Sequence, residues 1–432
     1  MDYTQAIEYI RKTHKFGSRM GLECTQELLR RLENPHQKFK SIHVAGTNGK
    51  GSVTAMLSHV LHAAGFKTGM YISPSLERFT ERIQVDLIEI SENDVARLLV
   101  KVKAEIDNML DEGYSHPTEF EIVTVLGFLF FVEQSVDIAV IEVGLGGRLD
   151  ATNVIEPIVS VITSIGFDHM DVLGDTIGKI AFEKAGIIKD NTPVVVYPQD
   201  EEAIDVLCEI AKNRQAELFL VSVKQTHLNF SKFGEQSFDF EYGGEKLENI
   251  VINLSGEHQI LNAATALTAL MVLRKTGFSI PNTTIYEGLK SVNWPGRLEL
   301  VMCNPDVILD GAHNVSGAKS LANVLVKCFN DKKIVLVIGI LKDKQIDEIL
   351  SIICPHADVV VATMPDSPRA LEPYVLAQMA DKFCKHTIVV PDLPDAVQMG
   401  LSLASKNDVL LITGSLYLVG AVRKYFKSQI PC

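Results

Sequence analysis

The stretch Ile42-His43-Val44-Ala45-Gly46-Thr47-Asn48-Gly49-Lys50-Gly51-Ser52 decides the fold. Its first four residues read as a short strand, and residues 53–64 read as a helix closed by Gly65. A strand, a glycine-rich turn with one lysine and a helix form a phosphate-binding layout. Glycines let backbone N–H groups approach phosphate oxygens, the helix N-terminus adds partial positive charge, and Lys50 adds a full one. The general pattern is G-x-x-x-x-G-K-[ST]. The chain departs from it twice: Val44 stands where the first glycine would be, and Gly51 follows the lysine. A glycine-rich turn without a ligand is the plain alternative. Lys50, flanked by both strand and helix, favours a nucleoside triphosphate.

Outward from this loop, residues 68–72 form the next expected strand, stopped by Pro74. Residues 92–112 and 119–133 read as helices. Residues 136–143, 158–165 and 193–197 are apolar runs of the kind found in central parallel strands. This alternation predicts a doubly wound, mostly parallel α/β sheet. Upstream, residues 5–33 read as amphipathic helix, with Ile7, Ile10, Leu28, Leu29 and Leu32 facing a core. Residues 218–254 break the rhythm, with Phe219-Leu220-Val221, Phe238-Asp239-Phe240 and Ile250-Val251-Ile252 as short strands of a small β-rich insertion. A helix is expected over 258–276. Asn293-Trp294-Pro295-Gly296-Arg297, which holds the only tryptophan, reads as a junction. The expected domains are therefore 1–295 and 296–432. Strands over 307–309, 334–338, 359–362 and 409–413 make the second a smaller Rossmann-like α/β domain.

The bulk numbers agree. A chain of 432 residues exceeds one typical domain, and 47% hydrophobic with 22% charged residues is an ordinary globular mixture. A net charge of -13 argues against nucleic acid and anionic membranes as partners. Cysteines at 24, 208, 303, 328, 354, 384 and 432 form no C-x-x-C pair, which disfavours zinc ribbons and fits a reducing compartment. Met1-Asp2-Tyr3-Thr4 lacks a basic leader pattern, and the apolar run 128–132 is far too short to span a bilayer. The expectation is a cytoplasmic protein.

Gly51 removes the hydroxyl that usually binds Mg²⁺ after the lysine, so oxygen ligands must come from elsewhere. Glu142 ends the apolar run Ile138-Ala139-Val140-Ile141, at the sheet edge where ligands bind in open α/β folds. Gly144-Leu145-Gly146-Gly147 superficially suggests a dinucleotide loop, but the spacing fails at Leu149. Asp168-His169 follows another strand, and His169 reads either as a surface histidine or as a metal or phosphate contact. Lys184, in Phe182-Glu183-Lys184-Ala185-Gly186, reads from its neighbours alone as a lysine snorkelling from a half-buried helix.

Taken together these segments resemble the folylpolyglutamate synthase and dihydrofolate synthase family of the Mur ligase superfamily. Beyond the phosphate loop, the matching strings are Tyr71-Ile72-Ser73-Pro74, Glu81-Arg82-Ile83, Thr118-Glu119-Phe120-Glu121, Glu142-Val143-Gly144-Leu145-Gly146-Gly147, Asp168-His169, Glu183-Lys184-Ala185-Gly186-Ile187-Ile188, Trp294-Pro295-Gly296-Arg297, Asp310-Gly311-Ala312-His313-Asn314 and Thr413-Gly414-Ser415-Leu416-Tyr417. They run in the family's order along almost the whole chain.

The resemblance implies an ATP-dependent ligase that adds L-glutamate to dihydropteroate and to reduced folates through an acyl phosphate. It implies ATP on Thr47, Asn48, Gly49, Lys50, Gly51 and Ser52, with Asn262, Arg297 and Asp310 also at the nucleotide. It implies two Mg²⁺ ions among Ser73, Glu142, His169 and Lys184. Lys184 would act as a carbamate, reversing the snorkelling reading, and Lys50, Lys184 and His313 would carry the chemistry. Arg82, Arg148 and Asp150 would face the folate. The string from Gly147 to Asn153 hints at dual activity, although Arg148 and Asp150 are equally plausible as loop residues in either subtype. The resemblance favours a monomer. A folylpolyglutamate synthase alone, a cell-wall precursor ligase and a nucleotide-dependent switch are the competing readings.

Overall fold

A computed structural model describes residues 1–13 and 21–429. The expected helix over 5–33 is two helices, Tyr3–Lys12 and Glu23–Arg31; its residues 14–20, like Cys432, lie outside the described residues. Three sheets follow along the chain.

The first sheet has eight strands: β1 (Lys40–Ala45), β2 (Thr68–Tyr71), β3 (Ile83–Val85), β4 (Ile88–Glu89), β5 (Ile138–Glu142), β6 (Val159–Ile162), β7 (Val194–Val196) and β8 (Leu218–Leu220). Their spatial order is β4-β3-β2-β5-β1-β6-β7-β8. The run from β2 to β8 is parallel, and β3 and β4 extend one edge antiparallel. β1, β5 and β6 are buried at every position but the first of β1, as expected of strands covered on both faces.

β9 (Thr226–Lys232), β10 (Glu235–Tyr242) and β11 (Glu245–Ile252) form the small antiparallel sheet. Here the structure corrects the expected insertion. Residues 218–220 pair with β7 as the last strand of the main sheet. The insertion's first strand is instead β9, whose largely solvent-facing sequence lacks an apolar run. Phe238 and Phe240 share one face of β10 by the two-residue period. With Ile250 and Ile252 they pack on helices Lys50–Ala63 and Glu257–Lys275. The other face of the main sheet is covered by the N-terminal helices, Glu92–Asp111 and Glu119–Glu133. The apolar run near Phe128 is thus a core helix. Among the described residues no helix is long and apolar enough to cross a membrane.

The last sheet has six strands: β12 (Glu299–Met302), β13 (Asp306–Leu309), β14 (Ile334–Ile338), β15 (Val359–Ala362), β16 (Thr387–Val389) and β17 (Val409–Thr413), in the order β12-β13-β17-β14-β15-β16. All but β12 run parallel. β12 and β16 escaped the sequence reading because they are short, half-exposed edge strands. Separate apolar clusters cover the two faces of this sheet.

Candidate active site

The carboxyl ends of β1, β2, β5 and β6 open onto a cavity of about 390 Å³, closed from the opposite side by loops of the last sheet. Gly46 to Ser52 form its floor. The loop is fixed from below: the N–H groups of Thr47 and Asn48 donate to Ser164 O at 2.7 and 3.2 Å, and Thr47 Oγ1 donates to Gly166 O at 3.0 Å. Helix Lys50–Ala63 starts at Gly49, so its first N–H groups point toward the cavity without helical partners.

Each loop glycine meets a neighbour that a side chain would strike. A Cβ on Gly46 would lie 1.8 Å from Thr163 Oγ1, and one on Gly49, at φ 87°, would lie 2.5 Å from Asn262 Oδ1. A Cβ on Gly51 would lie 2.9 Å from the Trp294 ring. The second departure from the general phosphate-loop pattern therefore has a steric cause: the tryptophan of the domain junction occupies the space of the usual hydroxyl.

Lys50 Nζ donates to Gly46 O at 3.1 Å and Thr47 O at 3.3 Å. Lys184, on helix Ile177–Ala185, reaches the same carbonyl, with Nζ 2.8 Å from Gly46 O. Lys184 is buried, not snorkelling. Burial draws its amine down to about 7, and Lys50 adds to the shift. Glu142 is also buried, and burial pushes its carboxyl up to about 7 against Lys50, the Ser73 N–H and Arg297. That N–H donates to Glu142 Oε2 at 3.3 Å.

Ser73 Oγ is buried with no hydrogen-bond partner, an oxygen short of a contact beside a carboxylate. A hydroxyl and a carboxylate suit the hard-oxygen preference of Mg²⁺, which keeps several waters and needs few protein ligands. Among the described residues no three His, Cys, Asp or Glu side chains gather as a cation cage. The set is mixed, with His169 on the rim 3.8 Å from Asp168. Burial lowers the His169 pKa against the pull of Asp168, which favours the neutral ring.

The second domain contributes Arg297, Asp310 and His313 to the cavity wall. Asp310 accepts the N–H groups of Leu298 and Ala312 at 3.0 and 2.9 Å, and burial raises its pKa against Arg297. His313 Nδ1 lies 2.8 Å from Gly311 O, and its Nε2 lies 3.6 Å from Asp168. Asn262 hydrogen-bonds Gln259 at 3.0 Å and lines the same wall.

Of the residues expected at the folate, none lines this cavity. Arg82 sits 3.6 Å from Glu119 and donates to Ser75 Oγ at 3.3 Å. Arg148 pairs with Glu183 at 2.9 Å over the Phe182 ring. Asp150 is buried and accepts hydrogen bonds from the Leu145 N–H, the Thr152 N–H and Thr152 Oγ1. Asp150 thus caps a turn.

Lys344 was missed. Its Nζ lies 2.6 Å from Asp168 Oδ1, and both side chains are nearly buried. Burial would raise the Asp168 pKa, but His313, Lys344 and His169 hold it well below the carboxylate range. Asn48 and Asn314 exchange amide hydrogen bonds at 3.2 and 3.0 Å, joining the phosphate loop to the second domain. Position after a parallel strand would have flagged Lys344, which follows β14 as Asp168 follows β6.

Residues 44–270 match the Mur ligase middle domain, and residues 296–416 match the Mur ligase, glutamate ligase domain. A dihydrofolate synthase/folylpolyglutamate synthase of Bacillus subtilis is 38% identical over 98% of this chain and 99% of its own length. A folylpolyglutamate synthase of Lacticaseibacillus casei is 35% identical over 98% of both. The solved structure of Mycobacterium tuberculosis folylpolyglutamate synthase complexed with ADP superposes with a TM-score of 0.91 at 33% identity, covering 98% of this chain and 99% of that one.

Proposed function

The chain belongs to the Mur ligase family, among its folylpolyglutamate and dihydrofolate synthases, and is an ATP-dependent ligase; from that premise we propose that it adds L-glutamate to both dihydropteroate and reduced folates. The observation that carries this reading is convergence on one cavity: a phosphate loop, the Glu142–Ser73 pair, Lys184, and Arg297, Asp310 and His313 from the second domain.

In this reading Thr47 to Ser52 hold the ATP phosphates, while Asn262, Arg297 and Asp310 fix the rest of the nucleotide. The folate carboxylate attacks the γ-phosphorus, an O–P bond forms, and the β–γ bridge breaks to release ADP. The amine of glutamate then attacks the acyl carbon, the C–N bond forms, and phosphate leaves as the amine loses its proton. Lys50 neutralises transferring charge, and His313 stands where it can orient the second step. Ser73, Glu142 and His169 would hold Mg²⁺, which supplies charge neutralisation on the phosphates when bound. The Lys184 amine, drawn toward neutrality by burial, is in the form that can take up CO₂, and the resulting carbamate would offer oxygens to a second ion.

Arg82 remains the folate contact we propose, because it anchors the segment leading from Ser73. Arg148 and Asp150, on the loop that follows Glu142, are proposed as further folate contacts. Dual activity rests on that loop together with likeness to the Bacillus subtilis relative. We divide the chain into domains 1–295 and 296–432. We take the enzyme to be a cytoplasmic monomer, with the cavity built from one chain.

The test is product analysis by mass, with ATP, Mg²⁺, glutamate and either dihydropteroate or tetrahydrofolate. Gain of one glutamyl unit on both is expected. Gain on tetrahydrofolate alone reduces the enzyme to a folylpolyglutamate synthase, and ATP hydrolysis without amide overturns the reading.

A further inference from the structure

We propose that Arg423, on the C-terminal helix Leu416–Gln429, is a positioning residue that clasps the segment between Ser73 and Arg82 and holds it in register with Arg297. This inference rests on the ligase reading for its kinetic consequence, but its structural readout stands apart.

The clasp begins with shape. Gly420 lies inside the C-terminal helix, and a Cβ there would fall 2.0 Å from the Leu76 carbonyl oxygen. Across the same contact, a Cβ on Gly296 would fall 3.2 Å from the Leu76 side chain. Glycine inside a helix weakens it; here it lets a backbone from the first domain lie directly on the helix.

Charge completes it. Arg423 Nη1 pairs with Glu77, and its Nε donates to both oxygens of Glu299 at 2.8 and 2.9 Å. Lys427 reaches Glu77 at 2.9 Å. Glu299 in turn accepts the Gly296 N–H at 2.8 Å. The side chains of Glu77, Arg423 and Glu299 are 7%, 13% and 17% exposed, so solvent screens them little.

A pull on Glu77 would be felt at Ser73, because the segment between is stiff. Glu81 accepts the N–H groups of Leu76, Glu77 and Arg78. Its neck is closed by the Ile72 N–H donating to Arg82 O at 3.0 Å. Arg423 therefore links two arms through two carboxylates: one carries Ser73 and Arg82, the other Arg297. Ion pairs this far from water are a weak source of stability but a strong constraint on geometry, so the clasp acts on turnover more than on folding.

The experiment compares full-length wild type with Arg423→Gln, Glu77→Gln and the double variant. With ATP, glutamate and tetrahydrofolate, each single variant should lose about 10- to 100-fold in kcat, with its unfolding midpoint kept. The double variant should be no worse than the poorer single one, since both remove the same link. Amide hydrogen exchange at Leu76, Glu77 and Arg78 should speed up about tenfold in each variant. That readout does not depend on the substrate: if wild type failed to ligate, the ligase reading would fall while exchange still tested the clasp. Unchanged kcat in Arg423→Gln, losses that multiply in the double variant, or unchanged exchange would each overturn the proposal. So would a kcat loss that merely tracks a fall in the folded fraction.

Discussion

Replacing Gly49 by alanine strikes the phosphate loop where two costs meet. Gly49 has φ 87°, and left-handed backbone costs an alanine about 1–2 kcal/mol. The new Cβ would lie 2.5 Å from Asn262 Oδ1. Asn262 can swing away, but it then gives up its 3.0 Å hydrogen bond to Gln259, worth about 0.5–1.5 kcal/mol. Together the folded state loses about 2–3 kcal/mol. The same strain tilts the first N–H groups of helix Lys50–Ala63, so affinity for a non-hydrolysable ATP analogue should fall about tenfold or more, since each tenfold corresponds to about 1.4 kcal/mol. Urea unfolding midpoints and titration calorimetry read the two effects. Adding Asn262→Ala separates them, because it removes the collision and leaves the backbone strain. The double variant should be about 1 kcal/mol less damaged than the sum of the singles. A wild-type midpoint for Gly49→Ala would refute the strain, and strictly additive losses would refute the collision.

Lys184→Ala should stay folded by circular dichroism yet lose about 100-fold or more in ligation, and depletion of bicarbonate should slow the wild type; near-normal turnover would remove Lys184 from the mechanism. His43 is fully buried, and burial followed by Lys189 draws its pKa from 6.5 to about 3. The unfolded chain therefore binds the extra proton first: this contribution to stability is intact above pH 6.5 and is lost as pH falls toward 3. Between those limits His43→Gln should flatten the fall of unfolding free energy by about 1.4 kcal/mol per pH unit, and parallel slopes would show that His43 is not the group responsible.

Most of the main sheet was legible because its central strands are continuous apolar runs next to turn residues. β5 is the clearest case: Ile138-Ala139-Val140-Ile141 announces the strand, and Glu142 ends it at the cavity. β9 and β16 were not legible, since an edge strand that faces water needs no apolar signature. The first-domain half of the cavity followed from one rule, that ligands gather at the carboxyl ends of parallel strands. Lys184 defied its local sequence because its burial comes from packing beneath Gly46, 138 residues earlier in the chain. Arg423 was invisible for the same reason, acquiring meaning only from Glu77 in the other domain, whereas Lys344, paired with Asp168, had its place after β14 as a signal.

The contact between Trp294 and Gly51 has one further consequence. The chain has a single tryptophan, and its indole lies against the residue that follows the loop lysine. The protein thus carries its own optical label at the point where a phosphate chain would arrive and where the two domains join. Changes in the local field or in solvent access at that loop fall on one emitter, with no second indole to dilute the signal. Intrinsic fluorescence can therefore follow what happens at that loop in the unmodified enzyme.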